Sequence, residues 1–75
     1  MYNITLFEEG RFCTDIGGAL PTLPDAIDQI KAISTTLKAE ELKDIFGYKF
    51  DRAGTTCAIV VTDSWHLPIK QRKEE

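Results

Sequence analysis

Two short runs near opposite ends of the chain constrain its fold more than any other feature. Tyr2-Asn3-Ile4-Thr5-Leu6-Phe7 and Cys57-Ala58-Ile59-Val60-Val61-Thr62 are both rich in β-branched and aromatic residues, and turn-forming residues flank both. The stretch between them carries apolar residues at helical spacing. Strands, then helix, then strands is the order of a small α+β domain. The expected architecture is a ββααββ(β) two-layer sandwich, a mainly antiparallel sheet with one or two helices packed on one face.

Residues 2–16 read as a hairpin. Tyr2, Ile4 and Leu6 share one face of the first strand, and Glu8-Glu9-Gly10 makes a tight connection in which Gly10 supplies a positive φ. The return strand, Arg11 to Ile16, places Phe12 and Ile16 together on one face. Gly17-Gly18 is expected to end it. Thr22-Leu23-Pro24-Asp25 starts a helix: Thr22 caps a free N–H, Asp25 is its capping-box partner, and Pro24 sits in the first turn, where a missing N–H costs nothing. Leu23, Ala26, Ile27, Ile30, Ile33 and Leu37 form one apolar stripe.

Ser34-Thr35-Thr36 favours caps and turns over helix interiors, so a break is expected there. Residues 38–46 then read as a second helix burying Leu42, Ile45 and Phe46, with Gly47 as its stop. Residues 48–51 alternate as a short strand. The run from Thr56 to Thr62 is the strongest strand, and its unbroken apolar centre marks it as central. Asp63-Ser64 turns the chain into a last short strand, residues 65–69, which Pro68 confines to an edge.

A chain of 75 residues holds one domain, expected over residues 1–69, with 70–75 as a charged, solvated tail. So short a chain buries only about 60% of the surface its unfolded form exposes. Its thin core makes a deep cleft hard to build, and homodimerisation would supply the missing burial. Twelve acids against nine Lys/Arg give a formal charge of -3. That balance argues against a non-specific nucleic-acid binder, whose affinity needs a basic face. No window is long and apolar enough to span a membrane, and residues 1–20 lack the pattern of a signal peptide, so the expected compartment is the cytoplasm. Cys13 and Cys57, each inside an expected strand, then read as reduced core residues.

Chemistry-bearing constellations are sparse. His66 is the sole histidine, and neither cysteine has a basic neighbour or helix N-terminus to activate it for Cys–His catalysis. Cys13, Cys57, Asp63 and His66 lack the paired spacing of a zinc site. Gly17-Gly18 follows a strand and precedes a helix, but neither phosphate-loop fingerprint is present. No catalytic residue, cofactor or metal is assigned. Asp25, Asp28, Glu40, Glu41 and Asp44 read as part of a solvated face. The segment Trp65-His66-Leu67-Pro68-Ile69 stands out, because it sets three large apolar residues near the end of a chain with a small core.

The hairpin through Arg11-Phe12, then Gly17-Gly18, then Thr22-Leu23-Pro24-Asp25-Ala26, resembles the start of HicB-type antitoxins over residues 2–33. The chain departs from that pattern in three ways. It lacks the proline-rich strand end and the third strand before the helix, and no separate DNA-binding domain fits in its length. The shared motif is mostly hairpin and capping-box physics, so no family is assigned from it.

The function expected from these features is a small, non-enzymatic interaction module that binds another macromolecule, most simply a protein. Inhibitors and regulators encoded by phage or mobile elements share its size and composition. The expected partner-binding residues are Trp65, His66, Leu67, Tyr48 and Phe50. A homodimer fits the same reading. One alternative is a regulatory nucleic-acid binder stacking bases on Tyr48, Phe50 or Trp65 across an open sheet face, with Arg11, Lys49 and Arg52 beside them. Another is a small enzyme or subunit with a site shared across a dimer.

Overall fold

The computed structural model describes residues 1–71. Five strands and one helix follow in the order β1 (Tyr2–Glu8), β2 (Arg11–Leu20), α1 (Leu23–Leu37), β3 (Glu40–Glu41), β4 (Gly47–Arg52) and β5 (Thr55–Thr62). The strands form one antiparallel sheet in the spatial order β2-β1-β5-β4-β3. The α+β two-layer expectation holds, and the apolar run at 57–62 is the middle strand of five.

Local chemistry accounts for the two tight hairpins. Glu9 and Gly10 both have positive φ (50° and 80°), as do Ala53 and Gly54 (53° and 83°). Paired positive φ values match the right-handed twist of the flanking strands, so two-residue turns join β1 to β2 and β4 to β5.

Helix α1 begins as the residues dictate: Thr22 is the N-cap, its hydroxyl accepting from the Asp25 N–H at 3.3 Å. Its buried face is Ala26, Ile30 and Ser34, with Leu23 and Ile33 half-buried beside them. These cover Ile4, Leu6, Cys57, Ile59 and Val61 on one face of the sheet.

The structure corrects the expected break at residues 34–36. Ser34 and Thr35 donate their hydroxyls to the Lys31 carbonyl at 2.7 and 3.0 Å, so these side chains are satisfied inside the helix and do not compete for its backbone. The helix stops at Lys38, whose φ of 55° is left-handed.

The expected second helix over 38–46 is absent. Glu40 and Glu41 pair with Lys49 and Tyr48 as a minimal edge strand, and the Leu42 N–H donates to the Gly47 carbonyl at 2.8 Å. Strand pairing with β4 overrides the helical propensity of these residues. Gly47 is therefore no helix stop. It opens β4, where a Cβ would meet the Ile59 carbonyl oxygen at 2.8 Å. Of the three residues expected to be buried by that helix, Phe46 packs on the core, whereas Leu42 and Ile45 lie half-exposed on the opposite side of the sheet.

Strand β2 also departs from expectation. It runs past Gly17-Gly18 to Leu20, with Gly17 at φ 76° absorbing an irregularity between the Tyr2 and Ile4 pairings. A second irregularity sets Leu6 opposite Thr14 but Phe7 opposite Phe12, leaving Cys13 as the extra residue of a bulge. The bulge separates two residues expected on one face: Ile16 packs toward the helix, and Phe12 goes to the other face with Phe7. It also leaves Cys13 exposed rather than in the core, while Cys57 is buried as expected; both thiols are free. β2 is an outer strand, and its two bulges are the kind of irregularity that blunts edge-to-edge pairing.

The last expected strand, 65–69, is instead a tight turn followed by single bridges, Thr62 to Pro68 and Ile45 to Lys70. Gln71 donates its N–H to the Asp44 carbonyl at 2.9 Å, so Lys70 and Gln71 are tied down where the sequence suggests the start of a tail. The remainder of that tail, 72–75, lies outside the described residues, and with it Arg72 and Lys73.

Candidate functional site

The helix covers one face of the sheet. The other face is the candidate site, and the turn after β5 overhangs it. The turn over residues 63–67 is built around Asp63. The carboxylate of Asp63 accepts from the N–H groups of Trp65 (2.8 Å) and Leu67 (3.0 Å), its carbonyl accepts from the His66 N–H (3.0 Å), and its own N–H donates to the Leu67 carbonyl (3.0 Å). These bonds close a three-residue loop whose last residue is left-handed, a common hairpin build. The left-handed position, normally glycine, is His66, at φ 63°. A side chain there costs of order 1–2 kcal/mol, so something must hold His66 in place.

That hold comes from strand β2. His66 Nε2 lies 2.8 Å from Asp15 Oδ2, and the Phe12 and imidazole rings meet in a T-shaped pair with centroids 5.2 Å apart. The other carboxylate oxygen of Asp15 accepts from the Thr5 hydroxyl at 2.8 Å, and Thr5 in turn lies 2.7 Å from Thr62 Oγ1. Thr5 and Thr62 are fully buried in β1 and β5. The contacts therefore close a ring: Thr62 to Thr5, Thr5 to Asp15, Asp15 to His66, and back through the turn to Thr62. Partial burial pushes the Asp15 carboxyl up, but the hydrogen bonds from His66 and Thr5, with the charge of His66, outweigh it and hold the group below the usual carboxylate range.

Phe7, Leu42, Ile45, Ala58, Val60 and Pro68 line an open groove. Phe7 meets Phe12 edge-on at 6.4 Å, which joins the groove to the His66 ring. Trp65 at the turn is 80% exposed, Leu67 59% and Phe12 55%.

The residues singled out from sequence divide between the two faces. Trp65, His66 and Leu67 share the turn. Tyr48 and Phe50 sit opposite Ile59 and Cys57 in the register, half-buried against the helix-side core. They do not join Trp65 in a stacking platform, and Lys49 pairs with Glu40 at 3.8 Å while Arg52 pairs with Glu8 at 2.8 Å. The side chains that contact His66 are Asp15 and Phe12 rather than a cysteine. Among the described residues no three His, Cys, Asp or Glu side chains cluster as metal ligands, and no helix is long and apolar enough to cross a membrane. Sequence reading missed Asp15, Phe12 and Thr5. Asp15 carried a faint signal, a lone acid in a strand otherwise free of acidic residues.

No protein-family model, curated protein or solved structure matches the chain. The resemblance of residues 2–33 to HicB-type antitoxins thus gains no support, and the helix here follows two strands rather than three.

Proposed function

We propose that this chain is a non-enzymatic binding module that engages a protein partner through the helix-free face of its sheet, with Trp65 as the anchor. One observation carries the reading: the only tryptophan of a chain with a thin core is held out in solvent on a turn pinned by its own hydrogen bonds. Burying an indole is among the largest single gains available to a small domain. A rigid display of that side chain, on one turn with exposed Leu67 and with His66, whose ring meets Phe12, has the composition of an interface centre. Pinning the turn before binding lowers the ordering cost that a partner would otherwise meet.

The same face serves self-association if the partner is a second copy, and the proposed inhibitory or regulatory role needs no more than such a surface. The experiment is affinity capture from the source lysate with the wild-type chain and with Trp65→Ala, alongside sedimentation of both. Loss of the captured protein, or of a dimer, in the folded variant supports the reading. Equal capture and equal sedimentation by the two proteins rejects Trp65 as the anchor.

A further inference from the structure

We propose that the cleft between helix α1 and the β3–β4 end of the sheet binds a free apolar α-amino acid. The buried face of α1 covers residues of β1 and β5, so toward β4 and β3 the two layers part. The opening they leave holds about 140 Å³.

Its lining divides by chemistry. Ile27 and Ile30 of α1, with Phe46 just before β4, make an apolar interior; Ile30 is buried and the other two are half-buried. Lys31 of α1 and Glu41 of β3 line the same opening and are exposed. One positive and one negative group therefore stand at its rim, one on each layer. Among the described residues neither is in an ion pair. Tyr48, half-buried on β4, adds a hydroxyl to the lining.

Size and charge together select the ligand. An apolar cavity of about 150 Å³ accepts a benzene ring, so this opening takes a leucine or phenylalanine side chain. Drug-sized and cofactor-sized ligands occupy pockets of about 300–1,000 Å³, which excludes a nucleotide. The apolar walls favour an alkyl or aryl group. A rim with both charges favours a head group that carries both: its carboxylate meets the Lys31 ammonium and the Tyr48 hydroxyl, and its ammonium meets the Glu41 carboxylate. A carboxylic acid or an amine alone would leave one rim charge unmatched. The cleft shares no lining residue with the groove on the helix-free face, so the inference stands apart from the function proposed above.

The test is a ¹H–¹⁵N chemical-shift titration of the full chain near neutral pH. The probes are leucine, phenylalanine and glycine, with isocaproate and isopentylamine, which are leucine without its amino group and without its carboxylate. Leucine and phenylalanine should saturably shift the amides around Ile30 and Tyr48, with a dissociation constant on the order of 1 mM, the scale for so few atoms. Glycine, which has nothing to place among the isoleucines, should not. Each leucine analogue should bind about fivefold more weakly than leucine, the upper range for an exposed ion pair.

Two variants assign the rim charges. Lys31→Met keeps the alkyl stem and removes the charge, and Glu41→Gln keeps the shape. In Lys31→Met, leucine and isopentylamine should bind alike; in Glu41→Gln, leucine and isocaproate should. Both positions are exposed, so both variants should fold. The absence of a saturable shift with either amino acid would overturn the proposal, as would shifts centred away from the cleft. Equal binding of leucine and its two analogues by the wild type would overturn it too, and so would unchanged selectivity in either variant.

Discussion

His66 Nε2 and Asp15 Oδ2 lie 2.8 Å apart across 51 positions of sequence, and this pair fixes the turn after β5 to the outer strand β2. The edge strand of the sheet and its most exposed aromatic residue are thereby parts of one surface.

The pair gives stability a defined pH dependence. The folded-state Asp15 carboxyl is held below its ordinary value, so the unfolded chain binds the proton more readily. Its contribution is present above the unfolded carboxylate range, near pH 4, and is lost as pH falls through the lower folded value. Urea unfolding of the wild type and Asp15→Asn should differ near neutrality and converge in acid. A gap that widens as the pH falls below about 4, through the carboxylate range, would reverse the sign.

The buried hydroxyl relay beneath Asp15 should be costly to interrupt. Thr5→Val removes the donor to Asp15 and leaves Thr62 Oγ1, in a fully buried site, with only the long 3.5 Å contact to the Asn3 carbonyl. The expected loss is about 1–3 kcal/mol of unfolding free energy. Thr5→Val combined with Thr62→Val should lose less than the sum of the two single variants, because both singles break the same 2.7 Å hydroxyl contact. Strict additivity in chemical denaturation would show that the two residues do not act together.

Gly47 should tolerate no side chain. A Cβ there would lie 2.8 Å from the backbone oxygen of Ile59 and 3.0 Å from Val60 Cγ2, so β4 and β5 would have to separate. Gly47→Ala should destabilise by about 1–3 kcal/mol. An unchanged melting temperature would mean that the two strands part easily at this point.

The helix cap offers an independent check on the fold. Thr22→Ala should cost about 1 kcal/mol through loss of the acceptor for the Asp25 N–H. Unfolding free energy equal to the wild type's would place the start of the helix elsewhere.

Features governed by neighbours in sequence were legible from the residues alone. The tight turn at Gly10, the cap at Thr22 and the central position of the 57–62 run all follow from chemistry within a few positions, and the structure has them. The misreadings arise where distant contacts decide. Ser34 and Thr35 look like helix breakers until the Lys31 carbonyl takes their hydroxyls. Residues 38–46 have helical propensity, yet pairing of Glu40 and Glu41 with β4 wins. The bulge at Cys13 inverts the alternation between Phe12 and Ile16, and no residue type in β2 announces it. Within the candidate site, Trp65, His66 and Leu67 were legible as a cluster because they are consecutive. Asp15, Phe12 and Thr5 were not, because only the β2-β1-β5 order brings them beneath the turn.

The claim that Trp65 is displayed for a partner rather than spent on the core has a direct measurement: the unfolding free energy of Trp65→Ala. An indole 80% exposed contributes little to the monomer, so the variant should match the wild type within about 0.5 kcal/mol. A loss of about 3–5 kcal/mol, the usual cost of deleting a buried tryptophan, would contradict the account.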